Sequence, residues 1–328
     1  MSIDKYKTIW LFPGQGAQYP GMAIDFLNSG NPAVRELFDC ASAVCGQDME
    51  ALLRDSDEES LKRTDVSQPA VSLANLAAAA FLEGLGYKAV CCAGFSLGEY
   101  AALAQAGVIS IKDCMSLVHA RGRAMQAAIN NLNAGLGASS APGMAAVTGL
   151  APDQIEALIT QWRNSGLKGL YAANINSKKQ VAVSGTAAAL AEAEKRFTDA
   201  GARRFIRLQV AGPFHSPLIA EAAESFRPFL DTIEFRDPVI PVFSNVTGKI
   251  ISRGAEAKKL AFDHITNPVR WTEEEQALIN YADALDGGIS VCLEAGPGSV
   301  LQNLWRAADS TIPCYAAGTI EDISSIGK

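Results

Sequence analysis

Ser96 lies between two glycines in Gly94-Phe95-Ser96-Leu97-Gly98, where a short apolar run, Ala89–Ala93, gives way to an alanine-rich helical pattern. Strand, sharp turn and helix in that order push a serine up out of a sheet, and glycine two residues to either side lets the neighbouring backbone pass closely. A hydroxyl held this way is a candidate nucleophile for acyl transfer. The helix starting at Leu97 adds free amide N–H groups and the positive end of its dipole beside the oxygen. Such a serine needs a base, and the chain has only 3 histidines. His119 falls in mid-helix, well off the apolar face, and His264 falls in an Asp-His-Ile-Thr loop. His215 stands in Gly212-Pro213-Phe214-His215-Ser216-Pro217, a strand end framed by Pro and Gly. Ser216 can cap, and Pro217 can open, the helix that follows, which makes a rigid corner.

Two further residues complete a set. Gln15, in Pro13-Gly14-Gln15-Gly16-Ala17-Gln18, leaves the buried run Thr8–Phe12. The third glycine of a dinucleotide loop would fall at Tyr19, where an aromatic ring would block close helix–strand packing, so this is not such a loop. It is either a plain tight turn or a backbone N–H aimed at a neighbouring oxyanion. Arg121 sits at the edge of the apolar stripe Met115, Val118, Gly122, Met125, Ile129 in the helix predicted from Ile111 to about Ile129, with Ser110 as its cap. An arginine half turned to the core needs an anion, either an internal carboxylate or one on a ligand.

The elements that must position these residues follow from pattern. The chain has 328 residues, 48% hydrophobic and 19% charged, enough for a large core in one big domain or two unequal ones. With no run of 18 apolar residues and no apolar leader at the start, a cytoplasmic protein is expected, away from the membrane. The 7 cysteines form no C-x-x-C and read as reduced core thiols, so neither zinc nor any other metal is expected. A net charge of −7 argues against nucleic acid as partner. A small-residue helix from Ala70 to Gly84, opened by Ser67-Gln68-Pro69, leads into the serine strand. Asn130–Pro142 reads as a flexible linker. Beyond it come strand Met144–Leu150, helix Pro152–Asn164, strands Leu170–Asn174 and Gln180–Ser184, helix Ala187–Ala200 and strand Arg203–Val210, the β-α-β-β-α-β order of a ferredoxin-like unit. Pro241–Ser244 and Val291–Leu293 read as further strands of the large sheet, and Val300–Ala307 as a helix. The fold class expected is α/β, with an α/β-hydrolase-like large domain of parallel sheet (residues 1–135 and 209–328) and an inserted ferredoxin-like βαββαβ subdomain (143–208).

Phe12-Pro13-Gly14-Gln15-Gly16-Ala17-Gln18, Gln68-Pro69-Ala70, Gly94-Phe95-Ser96-Leu97-Gly98-Glu99, Ala120-Arg121-Gly122, Gly212-Pro213-Phe214-His215-Ser216, Asn267-Pro268-Val269-Arg270-Trp271 and Gly296-Pro297-Gly298, taken together, resemble the malonyl-CoA:acyl-carrier-protein transacylases over nearly the whole chain. The resemblance implies a Ser96–His215 pair, oxyanion donors from the backbone N–H of Gln15 and Leu97, and Arg121 on the malonyl carboxylate. It implies Gln68, Phe95, Phe214 and Asn174 as further substrate-binding positions. A backbone carbonyl near Gly287 is expected to orient the histidine. Malonyl-CoA would be a substrate, no cofactor is implied, and the partner would be an acyl carrier protein of fatty acid or polyketide synthesis, met by a monomer. Phe95 departs from the family, in which many members have histidine there. Phe214 would crowd an α-methyl branch, favouring malonyl over methylmalonyl. Lys178, Lys179, Arg203, Arg204 and Arg207 offer local positive charge to an acidic carrier. Two other readings stay open: a carrier-protein acyl hydrolase on the same scaffold, for which Arg121 would be wasted, and a non-catalytic docking module.

Overall fold

The computed structural model describes residues 3–137 and 140–327. Strands β1 (Thr8–Phe12), β2 (Ala89–Gly94), β7 (Val242–Phe243), β8 (Ile250–Ile251), β9 (Val291–Glu294) and β10 (Cys314–Ala316) form one sheet in the order β10-β9-β1-β2-β7-β8. All neighbours pair in parallel except β7 and β8. Every residue of β1 is buried because helices cover both faces. Trp10 and Phe12 enter the main core, and Ile9 and Leu11 enter a second cluster with Trp271 and Trp305. A strand buried on both faces reads as a continuous apolar run, as Thr8–Phe12 does.

Residues 143–207 carry strands β3 (Gly143–Thr148), β4 (Leu170–Ser177), β5 (Gln180–Gly185) and β6 (Arg204–Arg207) in an antiparallel sheet of order β4-β5-β3-β6. Helices Pro152–Asn164 and Ala187–Asp199 pack on one face around Val147, Ile155, Trp162, Val181 and Phe197. The other face meets the large unit, where Met144, Ala173 and Ala182 join the main core. Main-chain bonds also tie β4 to the segment before Trp271: Val269 N–H to Ala173 O and Ile175 N–H to Val269 O, each 2.8 Å.

Several elements differ in extent from the pattern. The helix expected from Ala70 begins at Thr64 and runs to Gly84, with Pro69 in its second turn, where the missing N–H frees a single carbonyl. Gln126 Oε1 accepts from Thr64 N–H at that helix start, 3.0 Å away. The helix from Ile111 continues to Asn133, into the stretch read as linker, and Leu132 there packs on the core. Of that stretch, residues 138 and 139 lie outside the described residues. β6 is shorter than expected: its ladder with β3 runs from Thr148↔Arg204 to Ala145↔Arg207, and a single further bond, Leu208 N–H to Met144 O at 2.9 Å, follows it. Ser216 does not cap: its hydroxyl donates to Pro213 O at 2.6 Å, and a 3-10 turn (Pro217–Ile219) precedes the helix Ala220–Asp231. Among the described residues no helix is long and apolar enough to cross a membrane.

Candidate active site

Ser96 follows the C-terminal end of β2 with φ 51°, a left-handed backbone that costs a non-glycine residue free energy. Neighbouring glycines leave the room it needs. A Cβ on Gly94 would run into the backbone of Gly98, one on Gly98 into Phe12 O, and one on Gly14 into Phe95 O. Ser96 Oγ stands 2.7 Å from His215 Nε2.

His215 also has a positive φ, 53°, and is 4% exposed. Its Nδ1 lies 3.0 Å from His264 O. A carbonyl only accepts, so Nδ1 carries the proton, Nε2 holds the lone pair and the serine hydroxyl donates to it. The orienting carbonyl is therefore that of His264, not one near Gly287. Gly287 precedes β9 at the N-terminal edge of the parallel sheet, where its carbonyl accepts from Lys7 Nζ at 2.9 Å, whereas the serine stands at the C-terminal edge. Burial, and secondarily the Arg121 charge, push the His215 imidazole down to about 4 against hydrogen bonds to main-chain carbonyls, so it is a neutral acceptor in neutral solution. The His264 ring, fully buried with centroid 5.1 Å from that of His215, has its pKa pushed well below 6.5 by burial and then by the His215 and Arg121 charges.

The N–H groups of Gln15 and Leu97 donate to no other group among the described residues. Asn75 Nδ2 donates to Pro13 O at 2.9 Å and holds the loop carrying Gln15. Two free N–H groups that converge on one oxygen can stabilise a tetrahedral oxyanion, and Gln15, Leu97 and Ser96 line one cavity.

Arg121 is 1% exposed and has no ion pair among the described residues. Gly122 lets its helix approach closely, since a Cβ there would lie 2.9 Å from Thr64 O and 3.3 Å from Gln68 Cβ. Gln68 Oε1 accepts from Arg121 Nη1 at 2.9 Å, and the guanidinium carbon lies 5.5 Å from the Tyr100 ring centre. Nε and Nη2 have no hydrogen-bond partner among the described residues. Burial lowers its pKa from 12.5, opposed by the nearby Tyr100 and Glu99, and the residue lines a cavity. Ser96, His215, Gln15, Leu97, Phe95, Phe214 and Asn174 line the same cavity. Gln68 does not: its amide is spent on Arg121 and on Met125 Sδ, 3.2 Å away, so it reaches the cavity through Arg121. Phe95 packs edge-on against Trp271 with centroids 5.4 Å apart.

The acyl transferase domain model matches residues 9–326. The chain belongs to the acyl transferase domain family. It is 33% identical over 317 residues to the malonyl CoA-acyl carrier protein transacylase of Bacillus subtilis, covering 97% of this chain and 95% of that one. Among solved structures, an acyl carrier protein S-malonyltransferase from Vibrio cholerae superposes with TM-score 0.86 at 32% identity, over 98% of this chain and 99% of the other. A malonyl-transacylase in complex with its type II PKS acyl-carrier protein gives 0.85 at 33%, over 97% and 98%.

This acyl transferase holds residues in its site that patterns in the chain did not single out. His264 O is one, although its place just before Asn267-Pro268-Val269-Arg270-Trp271 was a signal within reach. Asn245 is another: its Oδ1 accepts the Ser96 N–H at 2.6 Å. Of the basic positions, Arg203, Arg204 and Arg207 are exposed on or beside the edge strand β6 and unpaired among the described residues, while Lys178 binds Asp309 at 2.7 Å.

Proposed function

We propose that this acyl transferase moves a malonyl group from malonyl-CoA to the phosphopantetheine thiol of an acyl carrier protein through a malonyl-Ser96 intermediate. One observation carries the reading: Arg121, buried and in no ion pair among the described residues, keeps two donors without partners and lines the cavity that holds the Ser96–His215 pair. A planar fork binds both oxygens of a carboxylate, and a neutral acyl chain cannot answer it. The names of the relatives, and the carrier seen with one of them, support the donor and the acceptor.

In the first half-reaction His215 Nε2 takes the Ser96 proton as Oγ attacks the thioester carbonyl, and the Gln15 and Leu97 N–H groups hold the oxyanion. A donor of this kind is worth about 2.7–4 kcal/mol. The tetrahedral intermediate expels CoA as its thiol, which receives the proton from His215. In the second half the carrier thiol gives its proton to His215 and attacks malonyl-Ser96; the tetrahedral intermediate expels Ser96 Oγ, which takes the proton back from His215, so the free enzyme is restored and kinetics are ping-pong. Phe214 beside the base crowds an α-branched acyl group, Asn174 contacts the acyl-thioester arm, and Gln68 fixes the guanidinium. The test is intact-protein mass after incubation with malonyl-CoA alone. A malonyl adduct on wild type, absent from Ser96→Ala, is expected, and an adduct on the variant overturns the assignment.

A further inference from the structure

The ladder that should steady the serine turn ends early. β2 meets β7 in a single register pair, Cys92↔Val242, so no further register pair holds Gly94, Phe95 and Ser96 on that side. Asn245, two residues after β7 and fully buried, stands at the gap. Its Nδ2 donates to Gly94 O at 2.6 Å and to Glu274 Oε2 at 2.9 Å. Its Oδ1 accepts the Ser96 N–H at 2.6 Å, and its own N–H donates to Glu99 Oε2 at 2.7 Å. Its carbonyl accepts from Arg270 N–H at 2.8 Å.

We propose that Asn245 is a positioning residue for the nucleophile: one side-chain amide replaces the missing ladder rungs across Gly94 and Ser96 and fixes the direction of the Ser96 hydroxyl. The proposal rests on reading Ser96 as the nucleophile. Ser96 keeps its left-handed φ only while its surroundings over-determine it, and relaxation to an ordinary φ would swing Cβ and Oγ away from His215. A carboxamide suits the place because it donates and accepts at once. It must accept from Ser96 N–H and donate to Gly94 O, which neither a hydrocarbon nor a carboxylate can do. The groups facing it are Glu99, Glu274 and Cys92, with Arg121 beyond Glu99 and His215 beyond Ser96. Burial raises Glu99 to about 7 and Glu274 well above the usual carboxylate range.

The test uses two variants and two probes, malonyl-CoA and a fluorophosphonate that labels Ser96 whatever the natural acyl group. Asn245→Ala should slow both reactions by roughly 10²-fold, the cost of a misplaced nucleophile, and leave the KM for malonyl-CoA within about threefold, because Arg121 is untouched. Asn245→Asp should be as slow as alanine at pH 8. It should recover toward wild type at pH 5.5, where a protonated carboxyl again accepts from Ser96 and donates to Gly94 O. The proposal is overturned if the alanine variant labels at the wild-type rate, if its loss lies in KM alone, or if the aspartate variant's rate relative to wild type does not rise as pH falls. Should alanine not fold, the aspartate ratio decides alone. Fluorophosphonate labelling without malonyl transfer in wild type would refute the malonyl reading and leave the Asn245 comparison intact.

Discussion

Ser96 Oγ and His215 Nε2 lie 2.7 Å apart, and both residues hold a left-handed backbone, φ 51° and 53°. Each such position costs about 1–3 kcal/mol, so neither persists without surroundings that fix it. For Ser96 these are the three glycine contacts and Asn245. For His215 they are the His264 carbonyl and the bond from Ser184 Oγ to Phe214 O, 2.5 Å. In the proposed mechanism, strain on both residues aims nucleophile and base at each other before substrate arrives.

The pH dependence of acylation should follow the depressed imidazole. His215 works as the neutral base, so activity is present above its pKa and is lost as pH falls through about 4 rather than near 6.5. Arg121 contributes to the depression, so Arg121→Ala assayed with acetyl-CoA should move the acid limb of kcat/KM upward. An acid limb that stays near 6.5 in wild type would mean the base is solvated in solution.

Phe95→His should leave turnover within about tenfold. The Phe95 ring packs on Trp271 and contributes no proton to the Ser96–His215 pair, and in the proposed mechanism the oxyanion N–H comes from Leu97, two residues on. Steady-state kcat and KM for malonyl-CoA check this. A loss of 10³ or more would show that the Phe95–Trp271 contact shapes the turn around Ser96.

Charge reversal of Arg203, Arg204 and Arg207 together should raise the KM for an acidic carrier protein and flatten its salt dependence, while the malonyl-CoA half-reaction stays unchanged. These side chains are exposed and unpaired on the edge-strand segment whose continuation, Leu208 and Val210, reaches the mouth of the cavity. Lys178 is paired with Asp309 and should contribute less. An unchanged KM with unchanged salt dependence would place the carrier elsewhere.

The chain disclosed what local pattern determines. Gly94, Ser96 and Gly98 specify the turn through backbone clearance alone, and the β3–β6 unit announces itself through the order of its strand and helix patterns. Long-range satisfaction of polar groups was not legible. Nothing in the spacing says that Asn245, 149 residues from Ser96, receives its N–H. The His264 carbonyl was missed for a related reason: any residue has a carbonyl, so its type carries no signal. The burial of Arg121 was half visible, because Gly122 marks a close helix crossing, but its two unpartnered guanidinium nitrogens are a property of the packed molecule.

Arg121 decides between malonyl transfer and hydrolysis of plain acyl groups. If its free Nε and Nη2 hold the distal carboxylate, Arg121→Ala removes a charge-assisted pair and strands a carboxylate in an apolar cavity. Malonyl transfer should fall steeply. Acetyl transfer should gain, since a neutral acyl group no longer leaves a buried cation unanswered, and the malonyl-to-acetyl ratio of kcat/KM should drop by roughly 10²–10⁴. Arg121→Lys should restore only part of the ratio. A single ammonium cannot both take the Gln68 carbonyl and present two parallel donors to the substrate. Gln68→Ala should lie between, because the guanidinium stays charged and loses its anchor. Rates with both acyl-CoA donors on the three variants separate the cases. If wild type already prefers acetyl, or if Arg121→Ala keeps malonyl selectivity, the free guanidinium serves packing and the hydrolase reading takes first place.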